Sequence, residues 1–223
     1  MTATPRIRSI QVGQPRTVGR EDSEDAQERA WTTAFFKEPV AGRVHLGTLG
    51  IAGDAHADAK AHGGPDKAVL AYGAENYARW REELGVEGLV PGGFGENLTL
   101  DGLDESGVCL GDVWSAGSAL LQVTQPRGPC WKIARRWGIP DLTARVGTAG
   151  RTGWYLRVLR EGEVGAGDAM TLVERPCAEW SVARANAVIH GTPRNLDATR
   201  LLAACAHLAP ATRRTLERRL AAS

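Results

Sequence analysis

The sequence predicts a mostly β, barrel-like body with peripheral helices, followed by a small helical appendage. Glycine and proline are abundant, with 27 and 11 residues in a chain of 223, and long helical patterns are scarce before Pro176. Residues 108–117 and 163–173 each join apolar stretches through a Gly-Asp turn, which is typical of hairpins in barrels. Beyond Pro176 the chain is rich in alanine, leucine and arginine at helical spacing. We therefore predict a body over residues 1–174 and a three-helix extension over residues 175–223.

The composition limits the classes of function. With 43% hydrophobic residues, 24% charged residues and a net charge of +1, the chain can bury a core and has no field that favours nucleic acid. No apolar run approaches the length of about 18 residues that a membrane helix needs, and residues 1–6 lead into no signal-type apolar region. We expect a cytoplasmic protein with no membrane partner. The four cysteines form no C-x-x-C pair, so reduced thiols are expected.

Apolar stretches and alternating patterns predict the strands of the body. Residues 14–27 are polar and acidic and are predicted to form a surface loop. The Gly-Asp segments described above are predicted to form strand pairs joined by tight turns. The other predicted strands cover residues 7–12, 34–40, 43–46, 67–72, 98–100, 119–125 and 154–159.

Helices are predicted where apolar residues recur every three to four positions. Residues 74–85 form the clearest case in the body, because Gly85 supplies a stop signal. A short helix is expected to follow Pro129, and another covers residues 139–146. The extension is predicted to contain helices over residues 181–189, 196–208 and 211–220, which dock onto the body or dimerise it. Its arginines favour a solvated face over a nucleic-acid surface.

Cys130 is the first candidate for chemistry. It lies in the segment Gln-Pro-Arg-Gly-Pro-Cys-Trp-Lys, where Pro126 ends a strand and Pro129 suits the first turn of a helix. Unpaired N–H groups at the start of a helix, together with Arg127 and Lys132, favour a thiolate. The alternative is that Cys130 is a small core residue on an apolar helix face.

A second candidate is a cluster of carboxylates and imidazoles. Asp54, His56 and Asp58 have period-two spacing, so an extended backbone places them on one face, with His62 close behind. Such groups bind a divalent metal or transfer protons. They are also common as turn formers beside Gly-Gly-Pro-Asp, and the residues alone leave both readings open.

Two weaker signals remain. Glu96 and Asn97 follow a glycine-rich loop at residues 91–95, where backbone amides can approach a ligand or simply form a turn. Arg157 shares a strand face with aromatic and apolar residues, which calls for an anionic partner. That partner is either an internal carboxylate or a ligand phosphate. No phosphate-loop or dinucleotide fingerprint is present.

Four motifs in this order resemble the MOSC family, the molybdenum cofactor sulfurase C-terminal domain. The similarity covers about residues 7–173 and is strongest to stand-alone bacterial members of the YiiM type, whose three-helix extension resembles the C-terminal region. The motifs are residues 53–69 (GDAHADAKAHGGPDKAV), 94–98 (FGENL), 125–132 (QPRGPCWK) and 153–158 (GWYLRV). At position 56 the family pattern leads us to expect an uncharged polar residue, so His56 is a departure.

The resemblance implies a barrel-like fold and a pterin-bound molybdenum cofactor whose metal is ligated by Cys130. It also implies reduction of N-hydroxylated compounds, such as hydroxylaminopurines, with electrons from a separate redox protein. His62 is the favoured proton donor, with Asp58 beside it. The expected cofactor-binding residues are Cys130, Arg127, Lys132, Arg157, Glu96, Asn97 and Lys67.

Two rival functions follow from the same residues. In the first, Cys130 carries a persulfide and transfers sulfur without a bound metal. In the second, the cluster of Asp54, His56, Asp58 and His62 binds a divalent metal for hydrolysis.

Overall fold

A computed structural model describes residues 4–25, 27–58 and 62–222 of the chain. The strands are β1 (Arg6–Val12), β2 (Arg16–Val18), β3 (Trp31–Thr33), β4 (Glu38–Pro39), β5 (Arg43–Gly47), β6 (Gly50–Ile51), β7 (Val69–Gly73), β8 (Leu98–Asp101), β9 (Val113–Ala116), β10 (Ala119–Pro126), β11 (Trp154–Arg160), β12 (Gly162–Gly165) and β13 (Met170–Glu174). The helices are α1 (Glu75–Leu84), α2 (Lys132–Trp137), α3 (Leu142–Ala149), α4 (Val182–His190), α5 (Leu196–Ala203) and α6 (Pro210–Ala221).

The main sheet has eight strands in the order β13-β9-β10-β11-β7-β8-β1-β4. It is mixed, because β7 and β8 are parallel and connected through α1, while the other pairs are antiparallel. Backbone bonds from the N–H of Ile7 to the oxygen of Asp168, and from the N–H of Met170 to the oxygen of Pro5, bring the segment before β13 back to β1. No continuous ladder forms there among the described residues. The sheet curls on itself, and the predicted barrel is not confirmed.

The two predicted Gly-Asp hairpins are wrong in their pairing. In the first segment only residues 113–116 form a strand, because Cys109 makes an isolated bridge to Ser181 instead. In the second, β12 pairs with β5 in a three-stranded sheet and β13 pairs with β9 in the main sheet. The Asp168 carboxylate accepts the N–H of Gly165 and binds Arg43 of β5, which turns the chain from one sheet to the other.

Two further strand predictions differ from the structure. Residues 65–67 form a 3₁₀ turn, so the strand predicted from residue 67 begins at Val69. Residues 34–37 lie between β3 and β4 rather than in a strand. The predicted surface loop contains the short strand β2, which pairs with β3.

The predicted helices are all present, but two have other ends: the helix predicted over residues 139–146 is Leu142–Ala149, and the one predicted over residues 196–208 ends at Ala203. Helix α1 ends at Gly85, which has a φ of 65° and donates its N–H to the oxygen of Arg81, as the glycine stop indicated. The three helices of the C-terminal extension are present as α4 to α6. No helix within the described ranges combines the length and apolar character needed to cross a bilayer.

The buried side chains form two clusters. The larger one fills the space inside the curled sheet and continues onto the C-terminal helices through Val182, Leu202 and Leu216. The smaller one is rich in aromatic residues and joins α1, α2 and α3. Since Ile133 of α2 belongs to this second cluster, packing fixes the helix that follows Cys130. The division into residues 1–174 and 175–223 stays a prediction.

Candidate functional site

A cleft of about 530 Å³, including its open mouth, lies where β10 ends. Its walls come from segments far apart in the chain, including residues 34–37, 55–57, 62–70 and 127–132. The apolar side is formed by Ala34, Phe35 and Leu70. The polar and ionisable side chains of the lining are Lys37, His56, His62, Lys67, Asn97, Arg127, Cys130, Lys132 and Tyr155.

Cys130 reaches this cleft through the turn between β10 and α2. Its backbone oxygen accepts the N–H of Ile133 at 3.0 Å and the hydroxyl of Thr143 at 3.2 Å, which ties the turn to α2 and α3. The sequence predicted that Cys130 lies in the first turn of the helix. In the structure the helix begins at Lys132, so Cys130 lies just before it. Cys130 is partly exposed, whereas the other three cysteines are buried. The structure therefore presents one thiol to the cleft.

Basic side chains surround this thiol. Arg127 is only 4% exposed, and its Nη1 atom is buried without a hydrogen-bond partner in the described structure. Lys67 lies over the ring of Tyr155, with 5.7 Å from its Nζ atom to the ring centroid. Lys132 adds a third positive charge, while Lys37 is paired with Asp54. Because a buried guanidinium with an unused donor is costly, the arrangement is suited to an anionic ligand.

The same charges act on His62. Burial is the largest effect, followed by the positive charges of Lys132, Arg127 and Lys67, and together they lower the pKa of His62 from 6.5 to about 4. Asp58 opposes this shift but does not reverse it. The imidazole is therefore neutral at pH 7 while the cleft contains no anion. Burial, as the largest effect, also lowers the pKa of His56.

This depressed pKa predicts a dependence of stability on pH. Between pH 6.5 and 4 the unfolded chain binds a proton at His62 that the folded chain does not, so the free energy of unfolding falls as the pH is lowered. After allowing for partial exposure, we expect His62 to account for about 1–2 kcal/mol between pH 7.5 and pH 5. Urea unfolding of the cofactor-free wild type and His62→Gln at both pH values measures this. Equal losses of stability in the two proteins would contradict the assignment.

The predicted cluster of carboxylates and imidazoles does not assemble. The Asp54 side chain is buried and accepts hydrogen bonds from the Gly13 N–H at 2.7 Å, from Lys37 and from Asn97 at 2.8 Å. Asp58 is exposed, and only the two histidines line the cleft. Within residues 4–25, 27–58 and 62–222, no three His, Cys, Asp or Glu side chains are placed to hold a metal ion together. The hydrolytic alternative thus loses its structural basis, and part of its motif, residues 59–61, lies outside the described residues.

Glu96 is fully buried beneath the glycine-rich loop and does not line the cleft. Its carboxylate accepts hydrogen bonds from the Tyr77 hydroxyl at 2.6 Å, the Gly92 N–H at 2.8 Å, the Phe94 N–H at 3.2 Å and the Thr99 hydroxyl at 2.8 Å. The glycine-rich loop therefore folds around the buried carboxylate of Glu96. This loop in turn places Gly95 at the cleft wall.

Asn97 and Arg157 have different surroundings. Asn97 lines the cleft and is held by the N–H of Leu70, which donates to its Oδ1 at 3.1 Å, and by Asp54. Arg157 lies outside the cleft lining and forms an ion pair with Asp66 at 2.7 Å. Of the two partners that the sequence left open for Arg157, the structure contains the internal carboxylate.

Two polar residues of the cleft lining were missed by the sequence analysis. Lys37 was assigned to a strand, and Tyr155 was treated only as part of a strand face. The signal for Lys37 was a lysine directly after two phenylalanines, a place where the ammonium group needs a partner. That partner, Asp54, is 17 residues away, and sequence spacing does not identify it.

Comparison with known proteins identifies the class to which this fold and cleft belong. Residues 58–171 match the MOSC domain, and the chain belongs to the MOSC domain family. Residues 180–222 match the three-helix domain described as YiiM-like, so the C-terminal helices also have a counterpart in a known family.

Individual relatives agree with this assignment. The protein YiiM of Escherichia coli is 38% identical over 189 residues, covering 84% of each chain. A protein named "Reductase" from Gibberella moniliformis is 38% identical over 180 residues, which cover 79% of this chain but 31% of the fungal protein. The crystal structure of YiiM from Geobacillus stearothermophilus superposes with a TM-score of 0.80 at 38% identity, covering 97% of this chain and 99% of that one.

Proposed function

We propose that the protein is an oxidoreductase that binds a molybdenum cofactor and reduces N-hydroxylated compounds with electrons from a separate redox protein. The observation that carries this proposal is the cleft itself, in which one accessible thiol, Cys130, lies among basic groups. MOSC domains are associated with molybdenum cofactor binding, and one relative of this chain is named a reductase. Both points support the proposal.

The residues of the cleft fit the proposed cofactor. A thiolate is a soft ligand that suits a transition metal, and Cys130 would supply it. The pterin carries a phosphate, which the unused donor of Arg127 would bind, with Lys132 and Lys67 adding charge. Asn97 is held by Asp54 and Leu70 and would help to shape the same wall.

Reduction of an N-hydroxyl group consumes two electrons and two protons, breaks the N–O bond and releases an amine and water. When bound, the cofactor supplies the electron pair. The chain must then bring a proton to the departing oxygen, and His62 is placed in the cleft to hold one. Burial is the largest cause of the low pKa of His62, and the positive charges of Lys132, Arg127 and Lys67 add to it. An anion bound by these three groups would offset their charges and so would favour the protonated imidazole.

The proposal predicts that molybdenum content depends on Cys130. Wild-type protein from a host that makes the cofactor is expected to contain about one molybdenum per chain, and Cys130→Ala close to none, because the thiolate ligand is gone. Elemental analysis measures both. Cys109→Ala is the matched control, since Cys109 is a buried cysteine outside the cleft lining. It is expected to retain the metal.

The same samples distinguish the proposed reductase from a second candidate function, in which Cys130 carries a persulfide. The observation in its favour is that Cys130 alone among the four cysteines is partly exposed, so another protein can reach it. Absence of molybdenum from both wild type and variant, with cyanolysable sulfur present only in wild type, would replace the reductase by the carrier.

A further inference from the structure

Two buried cysteines meet where the C-terminal extension joins the body. Cys177 lies in the linker of residues 175–181 between β13 and α4, and Cys205 lies in the turn between α5 and α6. Their Sγ atoms are 3.6 Å apart, and the two residues are 9% and 7% exposed. Both are free thiols, and neither lines the cleft that contains Cys130. The function proposed for the cleft therefore leaves this pair unexplained.

The linker that carries Cys177 is fixed to the body on both sides of this residue. Before it, Arg175 forms an ion pair with Asp112 at 2.7 Å. After it, the oxygen of Trp180 accepts the N–H of Leu110 at 2.8 Å. A covalent bond to Cys177 would therefore tie any second segment to the body.

The turn that carries Cys205 leads directly to a contact with β10. Four residues after Cys205, the N–H of Ala209 donates to the oxygen of Thr124 at 3.0 Å. In the first turn of α6, the Thr212 hydroxyl donates to Oε1 of Gln125 at 2.7 Å. Since β10 ends at the cleft, the extension supports the strand end from which the cleft is built.

The two sulfur atoms are close enough to form a disulfide after a small movement. Such a bond is about 2.05 Å long, so the atoms must approach each other by about 1.5 Å. Both cysteines lie outside the helices and strands, where the chain adjusts most easily. Burial is the largest of the effects that raise the pKa of Cys177 to about 12, and the neighbouring Cys205 thiol adds to it. In the closed structure Cys177 is therefore a protonated, slowly reacting thiol at pH 7.

We propose that Cys177 and Cys205 form a reversible disulfide that ties the C-terminal extension to the body. The oxidant is a small disulfide such as glutathione disulfide. One thiolate of the pair attacks the S–S bond of the oxidant and releases a thiol, and the other thiolate then breaks the mixed disulfide and releases a second thiol. Two electrons pass to the oxidant, and the two protons lost by the pair end on the released thiols. This disulfide site is independent of the function proposed for the cleft.

Peptide mapping tests the pairing. Reduced wild type is unfolded in urea and refolded with glutathione disulfide, so that burial does not limit access, and the remaining thiols are blocked with N-ethylmaleimide. We expect the peptides of Cys177 and Cys205 to be joined in most molecules, because the fold brings these two sulfurs together. Cys109→Ala is the matched control, since it removes a buried cysteine outside the pair and should leave the link in place. Unlinked cysteines at both positions would overturn the proposal, and so would a predominant link to another cysteine.

Thermal unfolding tests whether the bond constrains the extension. The disulfide joins positions 28 residues apart, so oxidised wild type is expected to unfold about 5–10 °C above the reduced protein. Cys177→Ala and Cys205→Ala cannot form the bond, and glutathione disulfide should change the Tm of each by less than about 1 °C. Any effect of glutathione on Cys130 is common to these variants and wild type. Equal Tm values for oxidised and reduced wild type, despite linked peptides, would contradict the proposed tie.

Discussion

Replacing Glu96 with alanine is expected to lower the free energy of unfolding by about 3–5 kcal/mol, which is among the largest effects of a single substitution in a domain of this size. The carboxylate is fully buried and accepts four hydrogen bonds, from two backbone amides and two hydroxyls. Alanine leaves these donors without a partner in the interior and leaves a cavity beneath the loop of residues 91–95.

Denaturant unfolding of Glu96→Ala measures this loss, and two further variants calibrate it. Glu96→Gln keeps one acceptor oxygen and is expected to lose about 1–3 kcal/mol. Glu38→Ala removes an exposed carboxylate and should change stability by less than about 0.5 kcal/mol. Wild-type stability in Glu96→Ala together with loss of molybdenum would restore the cofactor-binding role that the family resemblance implied for Glu96.

The second large effect is expected at Arg127, where stability and binding should change in opposite directions. Arg127→Met is expected to raise the free energy of unfolding by about 1–2 kcal/mol, because it removes a buried guanidinium with an unused donor and keeps an apolar chain against Phe35. It should also lower molybdenum content at least about tenfold, because the anion loses a charge-assisted hydrogen bond.

Arg157→Met is the matched comparison. Its ion pair with Asp66 lies outside the cleft lining, so we expect slightly lower stability and normal molybdenum content. Urea unfolding measures the free energy of unfolding of both variants, and elemental analysis measures their molybdenum content. Normal metal content in Arg127→Met with reduced content in Arg157→Met would exchange the roles assigned to the two arginines.

The contrast between these arginines shows what the sequence can predict. The residues near Cys130 were predicted correctly as one basic group because Arg127 and Lys132 are its close neighbours in the chain. His62 and Lys67 came from a second motif, and the structure brings both to the same cleft. The two motifs come together because β11 pairs with both β7 and β10. Residue spacing within one motif cannot predict this pairing.

The sequence-based errors share one physical cause. Residue spacing gives the face on which a side chain lies but not the group that faces it. Arg157 was placed on a strand face correctly, but its partner Asp66 belongs to another element. Glu96 was placed beside a glycine-rich loop correctly, yet the loop folds around the carboxylate instead of presenting it. Likewise, Asp168 binds Arg43, 125 residues away, which separates two strands that were expected to pair.

The return of the chain near Asp168 to Ile7 also bears on biosynthesis. Strand β1 pairs with β8, and its first residues bond to residues 168–170, so a chain made from its N-terminus keeps that edge open until about three quarters of it has been synthesised. Helices α4 to α6 complete the fold last, and their start is held to the earlier segment 105–110 by backbone bonds such as that from the N–H of Val182 to the oxygen of Val108. A nascent chain that stalls before residue 168 therefore leaves the N-terminal end of β1 paired with β8 on one side and open to other chains on the other.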